Sequence, residues 1–471
     1  MWTLLWLACS GGGDGNTDGG GSTTPDTATE QTDTGGTGSD STDTGSVLPF
    51  APDLPIGGCG MADYALIGPE KLGEVLSVEK ADDLSMSAAA IGITLQLAGV
   101  PPDRFELPYD VETWRVRYTT QDRGELVEVT MLLSFPVGAG SVPVVMWGHG
   151  TTGFMDECAP SAMGLEGGAQ NLLFGAMGYV VASPDYIGMV GFGEPSGQLH
   201  PYIVPEAAAF AALDSVRATW AFQQETEGLT SEASQEAIWA GGSEGGFHAL
   251  WADRYQPHYL PEAEGVAVLA SVPPADIPGI LEDATQTFSD GSGGLVGAMV
   301  AWDDWYGFDS LDGLLVDPLD DELPVIMAST CDFDIEPEPT SVEEIFTPGF
   351  RDAVAQGELE TAFPDVHCAA AKAQVATSEV PLRSDTPVLY IVAELDELVL
   401  AEPTREAFPA MCDAGYRMNY IECAGAEHTE GGIWSLGQAV DWINDRVDGV
   451  PMVDVCVQGA PEVCDLQKAL E

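Results

Sequence analysis

The sequence predicts an α/β fold with a mostly parallel central sheet flanked by helices, and three features carry this prediction. Apolar runs typical of strands buried on both faces recur along the chain. Helical stretches separate them, notably 205–223 and 436–447, and a predicted hairpin with its turn at 122–124 opens the series. The apolar runs are 143–147, 178–183, 237–241, 265–270, 387–393 and 417–423.

The first 47 residues are predicted to lie outside the folded domain, which we assign to residues 48–471. Residues 1–9 are a short apolar segment that ends like a bacterial lipoprotein signal, with Cys9 as the residue to be lipidated. A cleaved signal without lipidation, or a true start upstream, is the alternative. Residues 10–47 are mainly Gly, Ser, Thr and Asp. Such a segment buries little apolar surface, and we predict a disordered acidic tether.

The charge of the chain is strongly negative, with 15 Lys and Arg against 76 Asp and Glu and a net charge of −61 over 471 residues. This charge argues against nucleic acid or anionic membrane as a partner, and it suits neutral substrates. An acidic surface for solubility in a salty habitat is the simplest interpretation.

The eight cysteines after Cys9 are scattered and include no Cys-x-x-Cys pair. In an exported chain this pattern predicts disulfides rather than a zinc site. Connectivity stays open at this level. Proximity in the sequence favours Cys412–Cys423, Cys456–Cys464, Cys331–Cys368 and Cys59–Cys158.

Residues 271–386 interrupt the alternation of strands and helices. They contain no comparable apolar run, and 278–285 and 342–356 are predicted helices. An insertion at this point of the sheet lies where it can cover a site as a lid. The acidic stretch 303–322 lacks the ligand spacing of a calcium loop, so we predict a solvated face and no metal site.

One motif combines a strand, a sharp turn and a helix around a serine. Gly241-Gly-Ser243-Glu-Gly245 follows the apolar run 237–241 and precedes a predicted helix. A serine on such a turn exposes its hydroxyl but needs small neighbours, which Gly241 and Gly245 provide. Ser243 is therefore the candidate nucleophile.

A serine hydroxyl needs an adjacent base that a carboxylate orients. Of six histidines, His428 is placed best, in a predicted loop after the last apolar run. Asp396 follows the run 387–393 and is the candidate acid, with Glu394 and Glu397 as alternatives. The order Ser243, Asp396, His428 is one of the known triad orders.

His248 is interpreted as a packing or surface residue. The remaining histidines are His149, His200, His258 and His367.

Backbone N–H groups are expected to stabilise the oxyanion of the tetrahedral intermediate. One belongs to Glu244, whose side chain we expect to have no role. The other belongs to the glycine-rich loop 148–153, with Thr151 as the first candidate and Thr152 as the second. His149 is expected to brace this loop rather than act as a base.

Several motifs together resemble the α/β-hydrolase superfamily, and within it the secretory lipase family, over roughly 114–447. They are Gly-His-Gly-Thr-Thr-Gly at 148–153, Ser-Pro-Asp-Tyr-Ile-Gly at 183–188, Leu-Asp-Ser-Val-Arg-Ala at 213–218 and Gly-Gly-Ser-Glu-Gly-Gly at 241–246. The resemblance implies the α/β-hydrolase fold, ester hydrolysis through an acyl-enzyme, no cofactor and a helical lid. It also implies that Asp185 and Tyr186 lie near the site and support the fold. The tether and the acidity depart from the family pattern.

The leading hypothesis is a secreted or surface-tethered serine carboxylic ester hydrolase acting on a small-molecule ester or a lipid. A serine peptidase of the same fold is one alternative, and a non-catalytic surface binding protein with a decayed hydrolase fold is another. Both the bacterial cell envelope and the medium are compatible with an exported chain, and Cys9 would be the membrane tether. Acyl-chain specificity and oligomeric state stay open.

Overall fold

The computed structural model describes residues 50, 54–62, 64–308, 311, 313–331 and 339–470. The predicted signal with Cys9 and the predicted tether at 10–47 lie outside these residues.

A nine-stranded sheet forms the centre of the molecule, in the order β1-β2-β3-β5-β4-β6-β7-β8-β9. β1, β2 and β3 pair antiparallel, β3 pairs antiparallel with β5, and all later neighbours are parallel. The predicted fold class is confirmed. The strands are β1 (Val75–Lys80), β2 (Val111–Asp122), β3 (Glu125–Pro136), β4 (Gly140–Gly148), β5 (Val180–Pro184), β6 (Ser231–Gly242), β7 (Glu264–Ser271), β8 (Val388–Ala393) and β9 (Met418–Cys423).

The predicted hairpin joins β2 to β3 through a two-residue turn. Asp122 pairs with Glu125, and Arg123 and Gly124 have φ values of 49° and 77°. Positive φ at both central residues is the geometry that matches the twist of the two flanking strands.

Helices cover both faces of the sheet. They are α1 (Ala88–Leu97), α2 (Ala169–Met177), α3 (Pro205–Glu225), α4 (Glu244–Tyr259), α5 (Ile277–Gln286), α6 (Asp290–Tyr306), α7 (Leu319–Met327), α8 (Pro348–Ala355), α9 (Leu359–Ala362), α10 (Pro364–Lys372), α11 (Ala401–Asp413), α12 (His428–Val447) and α13 (Gln467–Leu470). Short 3₁₀ turns lie at Pro69–Lys71, Asp156–Cys158, Pro160–Ala162 and Val342–Glu344.

Alternate side chains of the parallel strands enter two separate cores. On β4, Val144 and Met146 belong to the core beneath α3 and α4, whereas Val145 and Trp147 belong to the core beneath α1, α2 and α12. Successive strand residues point to opposite faces, so a strand buried on both sides reads as one continuous apolar run. This is why the apolar runs identified the parallel strands.

The insertion between β7 and β8 is largely helical, as predicted, and holds α5 to α10. The predicted helix 342–356 is instead a 3₁₀ turn at Val342–Glu344 followed by α8. Pro348 is the reason: it takes the first position of α8, and a residue before proline is disfavoured in helical conformation.

Four disulfides form among the described residues, but none of the pairings favoured by sequence proximity is correct. The bonds are Cys59–Cys368, Cys158–Cys331, Cys412–Cys456 and Cys423–Cys464. Cys412 lies near the end of α11 and Cys423 at the far end of β9. Five residues of strand cover about 17 Å, so these neighbours in sequence are too far apart to bond.

No helix within the described ranges combines the length and the apolar character that a membrane crossing requires.

Candidate active site

Ser243 occupies the turn between β6 and α4 in a strained backbone conformation. Its φ is 56° and its ψ is −123°, and its N–H donates to the carbonyl of Ser271 at 2.8 Å. A methyl group on Gly241 would overlap the carbonyl of Gly245, and one on Gly245 would overlap the carbonyl of Gly148. Both glycines are therefore required by the close approach of the two loops.

Asp396 and His428 form a buried pair. His428 Nδ1 donates to Asp396 Oδ2 at 2.7 Å. The other oxygen of Asp396 accepts from the N–H groups of Leu398 at 3.0 Å and Val399 at 2.9 Å. His428 Nε2 is buried and has no hydrogen-bond partner among the described residues. With the proton on Nδ1, Nε2 carries the lone pair that a base requires.

His428 was predicted in a loop, but it is the first residue of α12. Glu427 and Glu430 form a reciprocal capping box around this start. A methyl group on Gly431 would lie 2.6 Å from Cβ of Ala393 at the end of β8. The glycine therefore lets the first turn of α12 approach β8 and the Asp396 loop closely. The Glu427–Glu430 spacing is the sequence signal that could have located this helix start.

The two alternative acids have other positions. Glu394 accepts from the N–H of Gly425 at 2.7 Å, and Glu397 is exposed. Among the described residues, the acid hydrogen-bonded to His428 is Asp396.

The loop after β4 faces the same cavity as Ser243, through Thr151, Thr152 and Gly153. Tyr186 donates its hydroxyl to the carbonyl of His149 at 2.7 Å and stacks on the His149 ring at 4.0 Å. His149 Nδ1 lies 2.6 Å from the carbonyl of Gly150. Burial lowers the pKa of His149 to about 4, so this histidine is neutral at pH 7 and fits a bracing position.

The cavity at Ser243 has a volume of about 370 Å³, within the usual range of small-molecule sites. One wall is the N-terminal half of α6, where glycines replace side chains. These glycines are Gly291, Gly293, Gly294 and Gly297. Apolar residues of the insertion complete much of the lining, among them Ile277, Ile280, Leu323 and Ile345. The cavity therefore suits an uncharged, largely apolar group.

The side chain of Glu244 does have structural partners, contrary to the expectation from sequence. It is 1 % exposed and accepts from His200 Nε2 at 2.7 Å. His248 Nε2 lies 3.4 Å from the same oxygen, and its ring stacks on Tyr186 at 3.7 Å. His248 is thus a packing residue and not a surface residue. Sequence reasoning did not single out His200.

Asp185 lies beside Tyr186 and is buried in a hydrogen-bonded position. Its carboxylate accepts from the N–H of Ser161 at 2.8 Å and from the hydroxyl of Thr130 at 2.5 Å. Burial raises the pKa of Asp185 to about 7. Both neighbours anchor it to the fold, which agrees with the supporting position that the resemblance implied.

Comparisons with known proteins agree with this geometry. The family model of the secretory lipases matches residues 171–302. No curated protein matches the chain. Among solved structures, the rice cell wall degrading esterase LipA from Xanthomonas oryzae is similar at 18 % identity and a TM-score of 0.65, over 81 % of this chain and 100 % of that chain.

Two further solved structures share the fold. A putative hydrolase from Legionella pneumophila is 17 % identical with a TM-score of 0.64, over 80 % of this chain and 100 % of that chain. Candida antarctica lipase A is 15 % identical with a TM-score of 0.58, over 86 % of this chain and 92 % of that chain.

The sheet order, the serine turn and these structural neighbours define the α/β-hydrolase fold. Within that fold, residues 171–302 are similar to the secretory lipases, and this similarity supports a carboxylic ester hydrolase of the esterase and lipase type. The four disulfides among the described residues are those of an exported protein.

Proposed function

We propose that the chain hydrolyses carboxylic esters through an acyl-enzyme in which Ser243 is the nucleophile, His428 the general base and Asp396 its orienting acid. The observation that supports this most directly is the buried 2.7 Å contact between Asp396 and His428 Nδ1. That contact leaves the buried Nε2 without a hydrogen-bond partner among the described residues and ready to accept a proton.

In the first half-reaction, His428 Nε2 takes the proton of the Ser243 hydroxyl while the oxygen attacks the ester carbonyl carbon. Asp396 stabilises the resulting imidazolium. The N–H groups of Thr151 and Glu244 stabilise the oxyanion of the tetrahedral intermediate. The intermediate then expels the alcohol, which takes the proton from His428.

In the second half-reaction, His428 removes a proton from water, and the hydroxide attacks the acyl group on Ser243. The new tetrahedral intermediate collapses, the Ser243 oxygen regains the proton, and the acid is released. Apart from the substrate and this water, both half-reactions use only groups of the chain itself.

The substrate class follows from the cavity and the charge. A largely apolar lining next to Ser243 accommodates an acyl chain or an apolar alcohol. A net charge of −61 disfavours anionic substrates. A neutral small-molecule ester or lipid is therefore the proposed substrate.

The place of action proposed for the enzyme is the bacterial cell envelope, with Cys9 lipidated and residues 10–47 as the tether. Cys9 and the tether lie outside the described residues. Membrane fractionation of the full chain beside a Cys9→Ser variant tests this, because an equal soluble fraction in both would exclude the tether.

Replacing Ser243 by Ala tests the reaction. We expect a loss of kcat of about 10⁴-fold or more on p-nitrophenyl esters, and loss of labelling by a fluorophosphonate probe. Ser231→Ala is the matched control, since Ser231 is a buried serine at the opposite end of β6. Unreduced rates in Ser243→Ala would refute the proposal.

Failure of the probe to label folded wild-type protein would favour the non-catalytic alternative, and faster turnover of short peptides than of esters would favour the peptidase.

A further inference from the structure

Three buried ligating side chains meet directly behind the serine turn: His200, Glu244 and His248. They are 2 %, 1 % and 2 % exposed. Glu244 Oε1 lies 2.7 Å from His200 Nε2 and 3.4 Å from His248 Nε2. Since Glu244 follows the candidate nucleophile in the chain, this cluster holds the residue whose N–H faces the reacting carbonyl in the proposed reaction.

Both ring nitrogens of His200 have hydrogen-bond partners. Nδ1 donates to the carbonyl oxygen of Ile187 at 2.8 Å, and Nε2 lies 2.7 Å from the Glu244 carboxyl group. Burial alone would raise the pKa of Glu244, but the contacts of its carboxyl group with His200 and His248 outweigh burial and hold that pKa well below its usual range.

Two further imidazoles and one phenol ring lie close to this pair. Burial lowers the pKa of His248, and it lowers the pKa of His149 to about 4. The Tyr186 ring lies between these two imidazoles, with ring centroids 3.7 Å and 4.0 Å away. Of the two histidines that contact Glu244, His200 makes the shorter contact with the carboxyl group.

A metal ion is the alternative occupant of such a cluster, and the spacing argues against it. Two ligands of a tetrahedral zinc with bonds of 2.0–2.1 Å lie about 3.3 Å apart. The 2.7 Å separation of His200 Nε2 and Glu244 Oε1 is that of a charge-assisted hydrogen bond instead.

The segment 200–203, which we call the strap, also holds the loop after β4. The N–H of His200 donates to the carbonyl of Phe154 at 3.0 Å, and the Tyr202 hydroxyl accepts from the Thr151 hydroxyl at 3.1 Å. Ile203 has a φ of 55°, which is unusual for a β-branched residue and shows that its surroundings determine its conformation. The strap thus contacts both residues proposed to supply the oxyanion N–H groups.

From these contacts we infer that the hydrogen-bonded His200–Glu244 pair is a positioning device for the oxyanion site. It fixes the N–H of Glu244 relative to the N–H of Thr151, so His200 and the Glu244 side chain are positioning residues for acyl transfer. This inference rests on the proposed function, because it concerns the same reaction.

Four variants test it: Glu244→Gln, His200→Gln, the double variant and His258→Gln. Each of the first two breaks the pair and leaves one buried polar partner uncompensated. We expect kcat to fall about 10- to 100-fold, which is less than the 10²- to 10³-fold loss caused by removing a hydrogen-bond donor to the oxyanion. KM should change less than about twofold. The double variant, with two neutral amides, should lose less than the product of the single losses.

His258→Gln is the matched control. His258 is a buried histidine on the same helix, α4, and its Nε2 lies 2.9 Å from the carbonyl of Pro381. Its replacement should shift the unfolding temperature without a selective loss of kcat. All assays run well below each variant's unfolding midpoint. Equal effects in His258→Gln and His200→Gln would show that the His200–Glu244 hydrogen bond is only a structural contact and would overturn the inference.

Elemental analysis of the wild-type protein tests the metal alternative without any variant. We expect no bound transition metal. One zinc or other transition metal per chain would overturn the inference. Ser243→Ala assayed in parallel separates the two proposals. If it is inactive while Glu244→Gln and His200→Gln keep full kcat, only the positioning device fails.

Discussion

Strained residues surround the candidate site. Tyr186, Ile203, Ser243 and Val272 are non-glycine residues with φ values of 76°, 55°, 56° and 43°. Conformations of this kind cost about 1–3 kcal/mol each and persist only where the surrounding structure holds them. Here Ser243 N–H is held by the carbonyl of Ser271, and Val272 N–H by the carbonyl of Ile391. The parallel strands therefore set the backbone geometry on which the proposed chemistry depends.

Asp185 gives a prediction at the residue scale. Its folded pKa of about 7 exceeds the unfolded value of about 3.9. Between these values the folded state binds more protons, so this group's contribution to stability is greatest below about pH 4 and falls as pH rises to about 7. The slope reaches at most about 1.4 kcal/mol per pH unit.

Asp185→Asn lacks this contribution. As pH rises, the wild type loses unfolding free energy through Asp185 and the variant does not, so the variant should become more stable relative to the wild type. Urea unfolding of both proteins from pH 4.5 to pH 8 measures it. A constant difference across this range would contradict the prediction.

Individual elements differ in how well local sequence identifies them. The parallel strands were predicted because both of their faces are apolar. β1 was not predicted, since five of its six residues are exposed and no hydrophobic pattern marks it. Local sequence predicts the start of α12 at Leu436 instead of His428, because its first two turns contain Gly431 and Gly432, which do not indicate a helix. The first turn is stabilised by its capping box and by close packing on β8.

The glycines of α6 give a prediction at the element scale. A methyl group on Gly294 would meet nothing within 4 Å, and this glycine lines the cavity at Ser243. In Gly294→Leu the side chain should occupy part of the cavity. We expect turnover of long-chain p-nitrophenyl esters to fall about tenfold or more relative to the acetate, with stability raised by up to about 1 kcal/mol from helix propensity.

Gly349→Leu is the control for this variant. Gly349 is a helical glycine of α8, also with open space around it, and it does not line the cavity. It should share the gain in helix propensity without the change in chain-length preference. If both variants had the same preference among acyl-chain lengths, the α6 wall would not limit the chain length of the substrate.

At the scale of the whole molecule, two disulfides join the helical insertion to the rest of the chain. Cys59–Cys368 links the N-terminal segment to α10, and Cys158–Cys331 links the turn after the 148–153 loop to the segment after α7. Cys331 also lines the cavity at Ser243. The insertion is thus covalently held against the loop proposed to supply one oxyanion N–H.

Removing this restraint should affect both stability and substrate range. The Cys158–Cys331 bond spans 173 residues, and closing so long a loop is worth about 4–5 kcal/mol in the chain-entropy account. In Cys158→Ser/Cys331→Ser we expect the free energy of unfolding to fall by about this amount. We also expect turnover of bulky esters to rise relative to small esters, because the cavity wall is held less tightly. Thermal unfolding and an ester panel measure the two effects.

Cys412→Ser/Cys456→Ser is the control, with a bond spanning 44 residues that joins α11 to the C-terminal segment. It should lose stability without a change in ester preference. The same shift in preference in both double variants would exclude a specific restraint on the cavity.

The sequence by itself determined the α/β fold class, the turn that carries Ser243 and the assignment of candidate roles to Asp396 and His428. These follow from apolar runs, from glycines that a sharp turn requires and from the order of loops after strands, all of which are local. Only the tertiary structure decided the disulfide pairing, the hydrogen bonding of His428 to Asp396 rather than to Glu394 or Glu397, and the pairing of His200 with Glu244. Each of these depends on contacts between residues 32 to 309 positions apart. Such contacts leave no periodic signal in the chain, because the packing of the whole sheet and its helices brings the partners together.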